Sequence, residues 1–255
     1  MDFHASNPFC TRIVRPGAIE YQFESLVAQQ VDAEHVFDDL VQRISDAPLH
    51  LITGPHGSGK STLIRALVPR LMHRFTKVVE VQLHQPPSQS VSLDHVSCRR
   101  WFAAATERSI HQRKMAQCVA EKQREARTES QHRGLLIIDG LEQLSWWSVA
   151  YVRRRAKRWG QTVLATSHRS HRGFATLRDT TLDSNTILEL TEWLIASLAE
   201  SEQTQVRREL LRRALGPQTN LRDLWFDLYD LIETSRRQQY ARSLERRDRS
   251  IAPSP

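Results

Sequence analysis

No stretch of the 255 residues approaches the roughly 20 consecutive apolar positions a helix needs to cross a bilayer, so no membrane span is expected. Cysteine is scarce. Cys10, Cys98 and Cys118 are odd in number and widely spaced, which fits neither a metal-ligand pair nor a disulfide framework. A reducing, cytoplasmic setting is the expectation. The first thirty residues carry Asp2, Arg12, Arg15, Glu20 and Glu24 without an apolar core, which predicts no secretory signal. The eleven histidines show no metal spacing, so no zinc site is expected. Charge is only mildly one-sided: 36 Lys and Arg against 29 Asp and Glu leave +7, which permits an anionic partner without requiring one. Glycine is sparse too, nine in all, yet three of the nine fall between residues 54 and 59.

Those three belong to Gly54-Pro55-His56-Gly57-Ser58-Gly59-Lys60-Ser61, a full match to G-x-x-x-x-G-K-[ST], the phosphate-binding P-loop. The glycines let the backbone turn so that successive N–H groups point at phosphate oxygens. Lys60 can then reach the β- and γ-phosphates, and the Ser61 hydroxyl can ligate Mg²⁺. Residues 49–53 form a short apolar run ahead of the loop, as a buried strand should. From Thr62 onward the pattern is helical, which directs a helix N-terminus at the anion. The cofactor expectation is therefore ATP with Mg²⁺, held by residues 54–62.

The rest of the chain alternates strand and helix patterns. Residues 31–45 carry Val36, Leu40, Val41 and Ile44 at helical spacing and stop before Pro48. Strands are expected at 77–83, 134–138, 162–168 and 186–190, with long helices at 97–128 and 144–159, the second closed by Gly160. Beyond 190 the pattern is all helix, about 191–200, 204–215 and 220–234. The fold class that follows is α/β, a P-loop NTPase with a mostly parallel five-stranded sheet between helices and a small all-helical lid. Domain boundaries are expected as a lead-in and helix over 1–47, a nucleotide-binding domain over 48–190, a lid over 191–235 and a loose basic tail over 236–255.

Asp139 ends the most apolar strand, where a carboxylate can hold Mg²⁺ directly or through water. Glu142 lies one turn on and could orient an attacking water; the alternative is a first-turn acid stabilised by the helix dipole. Trp146-Trp147 is expected to pack between helix and sheet. Arg153-Arg154-Arg155-Ala156-Lys157-Arg158 reads first as a solvated basic face. It and the Arg-rich tail could also engage nucleic acid or a protein partner, or supply an arginine finger within a homo-oligomer.

Residues 135–144, Leu-Leu-Ile-Ile-Asp139-Gly-Leu-Glu142-Gln-Leu, resemble the Walker B segment of STAND-class ATPases, especially the NACHT group. Where that group usually has two adjacent acids, this chain has Glu142 and then Gln143. Thr166-Ser167-His168-Arg169 is similar to the family's sensor 1 segment, with His168 in the usual Arg position. The element order resembles the broader AAA+ superfamily, and Asn220-Leu221-Arg222 is similar to its sensor 2 motif. The resemblance implies γ-phosphate sensing by Thr166, Ser167, His168 and Arg222, and a base-pocket wall around Asn7–Ile19. It also implies an Mg²⁺-dependent ATPase acting as a nucleotide switch, with Lys60, Asp139 and Glu142 in the catalytic roles. Two other readings stay open: a P-loop kinase acting on a small acceptor, and a binding module that holds nucleotide without hydrolysing it.

Overall fold

A computed structural model describes residues 7–9, 21, 33–83, 98–127 and 134–251, with backbone alone over 98–109 and 244–251. The chain divides into two compact units. The larger comprises 21–54 and 59–180; the smaller comprises 1–20, 55–58 and 181–255.

The larger unit holds helix α1 (Ala33–Asp46), strand β1 (Leu49–Thr53), α2 (Lys60–Met72), β2 (Lys77–Gln82), α3 (Cys98–Glu125) and β3 (Gly134–Asp139). A 3₁₀ turn (Leu141–Gln143), α4 (Trp146–Trp159), β4 (Thr162–Ser167) and β5 (Ala175–Asp179) complete it. The five strands form one sheet in the order β2-β3-β4-β1-β5, and every pairing is parallel. A parallel sheet must be covered on both faces, and alternation along the strands shows how. Leu135 and Ile137 of β3 join Ile52, Leu164 and Leu177 against α1 and α2. Leu136 and Ile138 join Leu51, Val163 and Ala165 against α3 and α4. In α1 the buried set is Phe37, Leu40, Val41 and Ile44, an i, i+3, i+4, i+7 stripe. Each such Leu or Ile contributes roughly 1.5–3 kcal/mol of transfer free energy.

The fifth strand lies at 175–179, and the segment expected there, 186–190, is helical. Asp183 decides this locally: its carboxylate accepts the Thr186 N–H at 2.7 Å and caps α5 (Ser184–Ile195). Thr186, Ile187, Thr191, Leu194 and Ile195 then bury one helical face, a period the short window Thr186–Leu190 does not reveal. The true β5 is an edge strand with Leu177 alone buried, so it carries no apolar run to read.

The smaller unit contains α5, α6 (Glu200–Arg212) and α7 (Leu221–Ile251), packed around Ile187, Ile195, Val206, Leu224, Leu228 and Phe9. Asn7 ties the lead-in to α7 through Nδ2, which donates to Tyr229 O at 3.2 Å and Glu233 Oε1 at 3.0 Å. The segment expected to be a loose tail is instead helix as far as Ile251. Arg236 helps carry it on, holding Glu202 of α6 with two N–H groups at 2.6 and 3.1 Å. Most of the Asn7–Ile19 wall falls outside the described residues.

Candidate functional site

In an open parallel sheet, ligands bind beyond the carboxyl ends of the strands. Register brings three such ends level: Thr53 of β1 pairs with Ser167 of β4, and Ile138 of β3 pairs with Ala165. Gly54, Asp139 and His168 leave the sheet there.

The phosphate loop needs glycine at its last turn. Gly59 has φ +90°, and a Cβ there would press on the Tyr21 ring at 3.3 Å. Gly59 also caps α2, which begins with no side-chain cap and no acid in its first turn. The positive end of that helix is thus left to an outside anion. Lys60 is almost buried, and its Nζ donates to Gly54 O at 2.7 Å and lies 3.4 Å from His168 Nδ1. Burial pushes the Lys60 ammonium below its ordinary pKa, opposed by the charges of Glu142, Asp139 and Asp179.

Asp139 is the hub. Its Oδ2 accepts the Ser61 hydroxyl at 2.8 Å, and its Oδ1 accepts the Thr166 hydroxyl at 2.6 Å. Thr166 Oγ1 in turn accepts the Gly140 N–H at 2.8 Å. One strand-end threonine therefore fixes both the carboxylate and the turn behind it. An acid at Gly140 would be strained: its φ is +97°, and a Cβ there would sit 3.0 Å from Leu83 O. The carboxylate near this corner is supplied by Glu142 on the 3₁₀ turn instead. Its Oε1 lies 3.1 Å from His168 Nε2, and its Oε2 is buried with no hydrogen-bond partner among the described residues. His168 reaches the phosphate loop as well, with Nδ1 3.2 Å from Gly54 O.

The donor set suits a small hard dication. The Ser61 hydroxyl and the Asp139 carboxylate are hard oxygens already in contact. Among the described residues there is no three-residue cluster of His, Cys, Asp or Glu.

The structure thus gathers Gly54, Gly59, Lys60, Ser61, Asp139, Glu142, Thr166 and His168 at one sheet edge. Ser167 is fully buried, and its hydroxyl lies 3.0 Å from His171 Nε2. Thr62 follows Ser61 in the first turn of α2. Pro55, His56, Gly57 and Ser58 belong to the smaller unit, where Ser58 Oγ donates to Pro55 O at 2.9 Å. Arg222, also in that unit, is exposed in the first turn of α7, and its N–H bonds Asn220 Oδ1 at 3.2 Å. Two features are not visible in the sequence: the hold of Thr166 on Asp139, and the close approach of Leu83 O to Gly140. Neither leaves a spacing signature, because both join residues from separate strands or loops.

Among solved structures the chain resembles the Aeropyrum pernix ORC1 protein in complex with DNA, with 12% identity, 89% of this chain and 64% of that one covered, and a TM-score of 0.49. It also resembles Drosophila ORC bound to DNA (14%, 82% and 56%, 0.46) and Cdc6p from Pyrobaculum aerophilum (15%, 91% and 66%, 0.44). The chain therefore spans between about half and two thirds of the length of these proteins. No curated protein matches it in sequence. The family model for novel STAND NTPase 1 matches residues 33–224, three quarters of the chain, running from α1 through the phosphate loop and Asp139 to the start of α7. The chain belongs to this novel STAND NTPase family.

Proposed function

We propose that the protein binds ATP with Mg²⁺ and hydrolyses it, working as a nucleotide-controlled switch. The observation that carries this reading is the division of labour at Glu142: one carboxylate oxygen is held by His168, and the other is buried with no hydrogen-bond partner among the described residues. A carboxylate fixed at one oxygen and free at the other can accept a proton from a water placed beside it. Ser61 and Asp139 would hold Mg²⁺, which when bound offsets charge on the phosphate oxygens. Lys60 would add a second positive charge on the β- and γ-phosphates, and the open N-terminus of α2 a third, partial one. Thr166 would keep Asp139 aimed at the metal. Nucleotide arriving at the loop would draw Lys60 Nζ away from Gly54 O and leave His168 to answer for both Gly54 and Glu142. That exchange is a local switch, because the same histidine touches the phosphate loop and the candidate base. The sensor role given to Arg222 by its sequence pattern belongs to the same proposal.

The test is steady-state Mg²⁺-ATP turnover, with fluorescent-nucleotide binding measured in parallel, for wild type, Lys60→Ala and Glu142→Gln. The reading requires turnover lost in both variants and binding lost in Lys60→Ala. Turnover absent in wild type although nucleotide binds would leave a binding module. Transfer of phosphate to a small acceptor in place of water would make it a kinase.

A further inference from the structure

Helix α4 presents a second face, away from the sheet. Trp147, Tyr151, Arg155 and Trp159 follow at four-residue intervals, one stripe about 18 Å long at ~1.5 Å per residue. Trp146 and Trp147 stack on each other, ring centroids 3.5 Å apart and planes at 27°. They are 65% and 68% exposed, and Tyr151 is 52% exposed. The expectation that this pair packs between helix and sheet is corrected here. Val149, Val152 and Ala156 take the inward positions, and the indoles face water. Exposed aromatic surface of this kind marks a site of interaction.

Cations alternate with the rings. The Arg155 guanidinium lies 5.2 Å from the Tyr151 centroid and 3.9 Å from that of Trp159, and Arg127 lies 5.4 Å from Trp159. Arg155 is nearly buried, yet its Nη1 has no hydrogen-bond partner among the described residues. Arg154, Lys157 and Arg158 are exposed beside the stripe, and α4 contains no acid to answer them. Trp147 and Tyr151 also wall a shallow apolar groove of about 320 Å³ floored by Ala116, Val119 and Ala120 of α3.

We propose that this face of α4 binds single-stranded nucleic acid. Bases stack on the Trp146–Trp147 pair and on Tyr151, and phosphates meet Arg154, Lys157 and Arg158. Two requirements of a single strand coincide on one helix: ring faces open to solvent, and exposed cations within one turn of Tyr151 and of Trp159. Duplex bases are already stacked and would not reach the rings. An acidic amphipathic helix would need a continuous apolar groove, and this one is short, with aromatic–cation alternation over the rest of the stripe. The proposal does not depend on ATP hydrolysis.

The test uses the full chain with fluorescein-labelled (dT)20, read by anisotropy and by quenching of tryptophan emission, between about 50 and 200 mM salt. Tryptophan emission should be quenched on oligonucleotide contact, and binding should exceed that of a duplex of the same length. It should weaken with salt at a log–log slope of roughly −2, as expected for three phosphate contacts. Trp147→Ala should weaken it about tenfold with the slope kept. Arg154→Glu with Arg158→Glu should flatten the slope by about 1–2. All three residues are exposed, and unchanged Tm values would show the variants folded. The proposal fails if (dT)20 does not bind at low salt, or if neither variant alters binding. It also fails if sedimentation shows a Trp147-dependent dimer, or if an acidic amphipathic peptide takes this face more tightly than (dT)20.

Discussion

Helices α2 and α4 leave the same sheet edge, one after the phosphate loop and one after Asp139, and they begin in opposite ways. The first N–H groups of α2 meet no side-chain cap and no acid; its N-cap is Gly59. At α4, Ser145 Oγ accepts the Ser148 N–H at 3.3 Å, and Gly160 closes the other end with its N–H on Ala156 O and Lys157 O. A missing cap costs about 1 kcal/mol. The chain bears that cost where an anion can replace the cap and avoids it where the helix serves as a strut. The outward faces differ as well. Arg65 on α2 is matched by Glu80 at 3.2 Å, whereas the cations of α4 have no acid on their own helix. An open helix end and an unmatched basic face are two separate invitations to anions, built into neighbouring helices.

The comparison breaks most visibly at Lys60. Lys60→Ala should reduce ATP binding by at least tenfold and turnover to background, measured by nucleotide titration and phosphate release. If binding survived intact, the open end of α2 would not be the phosphate site. Glu142→Gln should lower turnover about 10²- to 10³-fold while leaving nucleotide affinity within a few-fold, because the amide keeps the shape but cannot take a proton. Equal loss of affinity would mean Glu142 organises the loop rather than the water. Ser145→Ala sharpens the contrast by uncapping α4: Tm should fall by about 2–4 °C with ATP affinity unchanged. An affinity loss of tenfold in that variant would show that the two helix starts are one coupled site.

Much of the sheet was legible because β1, β3 and β4 are buried on both faces and read as short, largely apolar runs, unbroken in β3. The phosphate loop was legible because its chemistry is local in sequence. What failed was local ambiguity resolved at a distance. Thr186–Leu190 is apolar enough for a strand, and only the Asp183 cap and the later Leu194 and Ile195 turn it into a helix. Arg242 and its neighbours read as a tail, since the Arg236–Glu202 pair that anchors that stretch to α6 spans 34 residues. Trp146-Trp147 read as core because large aromatics usually are, but the helical phase set by Val149 and Val152 turns both outward. At the site, Lys60, Ser61, Asp139 and Glu142 could be named from motif spacing. The His168 contacts with both Glu142 and Gly54 required the parallel pairing of β1 with β4.

The smallest predicted effect concerns protons at the sheet. His50 on β1 is buried, with Nε2 2.9 Å from Ala47 O. Burial lowers its pKa from the ordinary 6.5; the bond to Ala47 and the Asp46 charge pull upward, and Arg43 pushes down. His171, beside Ser167, is lowered by burial and by Arg169, with Glu142 opposing. A lowered folded-state pKa means that between that value and 6.5 the unfolded chain holds more protons than the folded one. Stability should therefore be full above about pH 7, fall as pH drops through 6.5 toward the lowered values, and level off below them. His50→Asn, which retains a donor for Ala47 O, should narrow the Tm difference between about pH 7.5 and pH 5.5 by about 1–2 °C, whatever it does to Tm at either pH alone. The same interval measured for His171→Asn separates the two residues: β1 buries His50 under the sheet, whereas His171 lies at the sheet edge next to the candidate site. A dependence that vanishes only with His171 would place the acid-sensitive point at that edge, where a change in protonation would also reach Ser167 and the loop carrying His168.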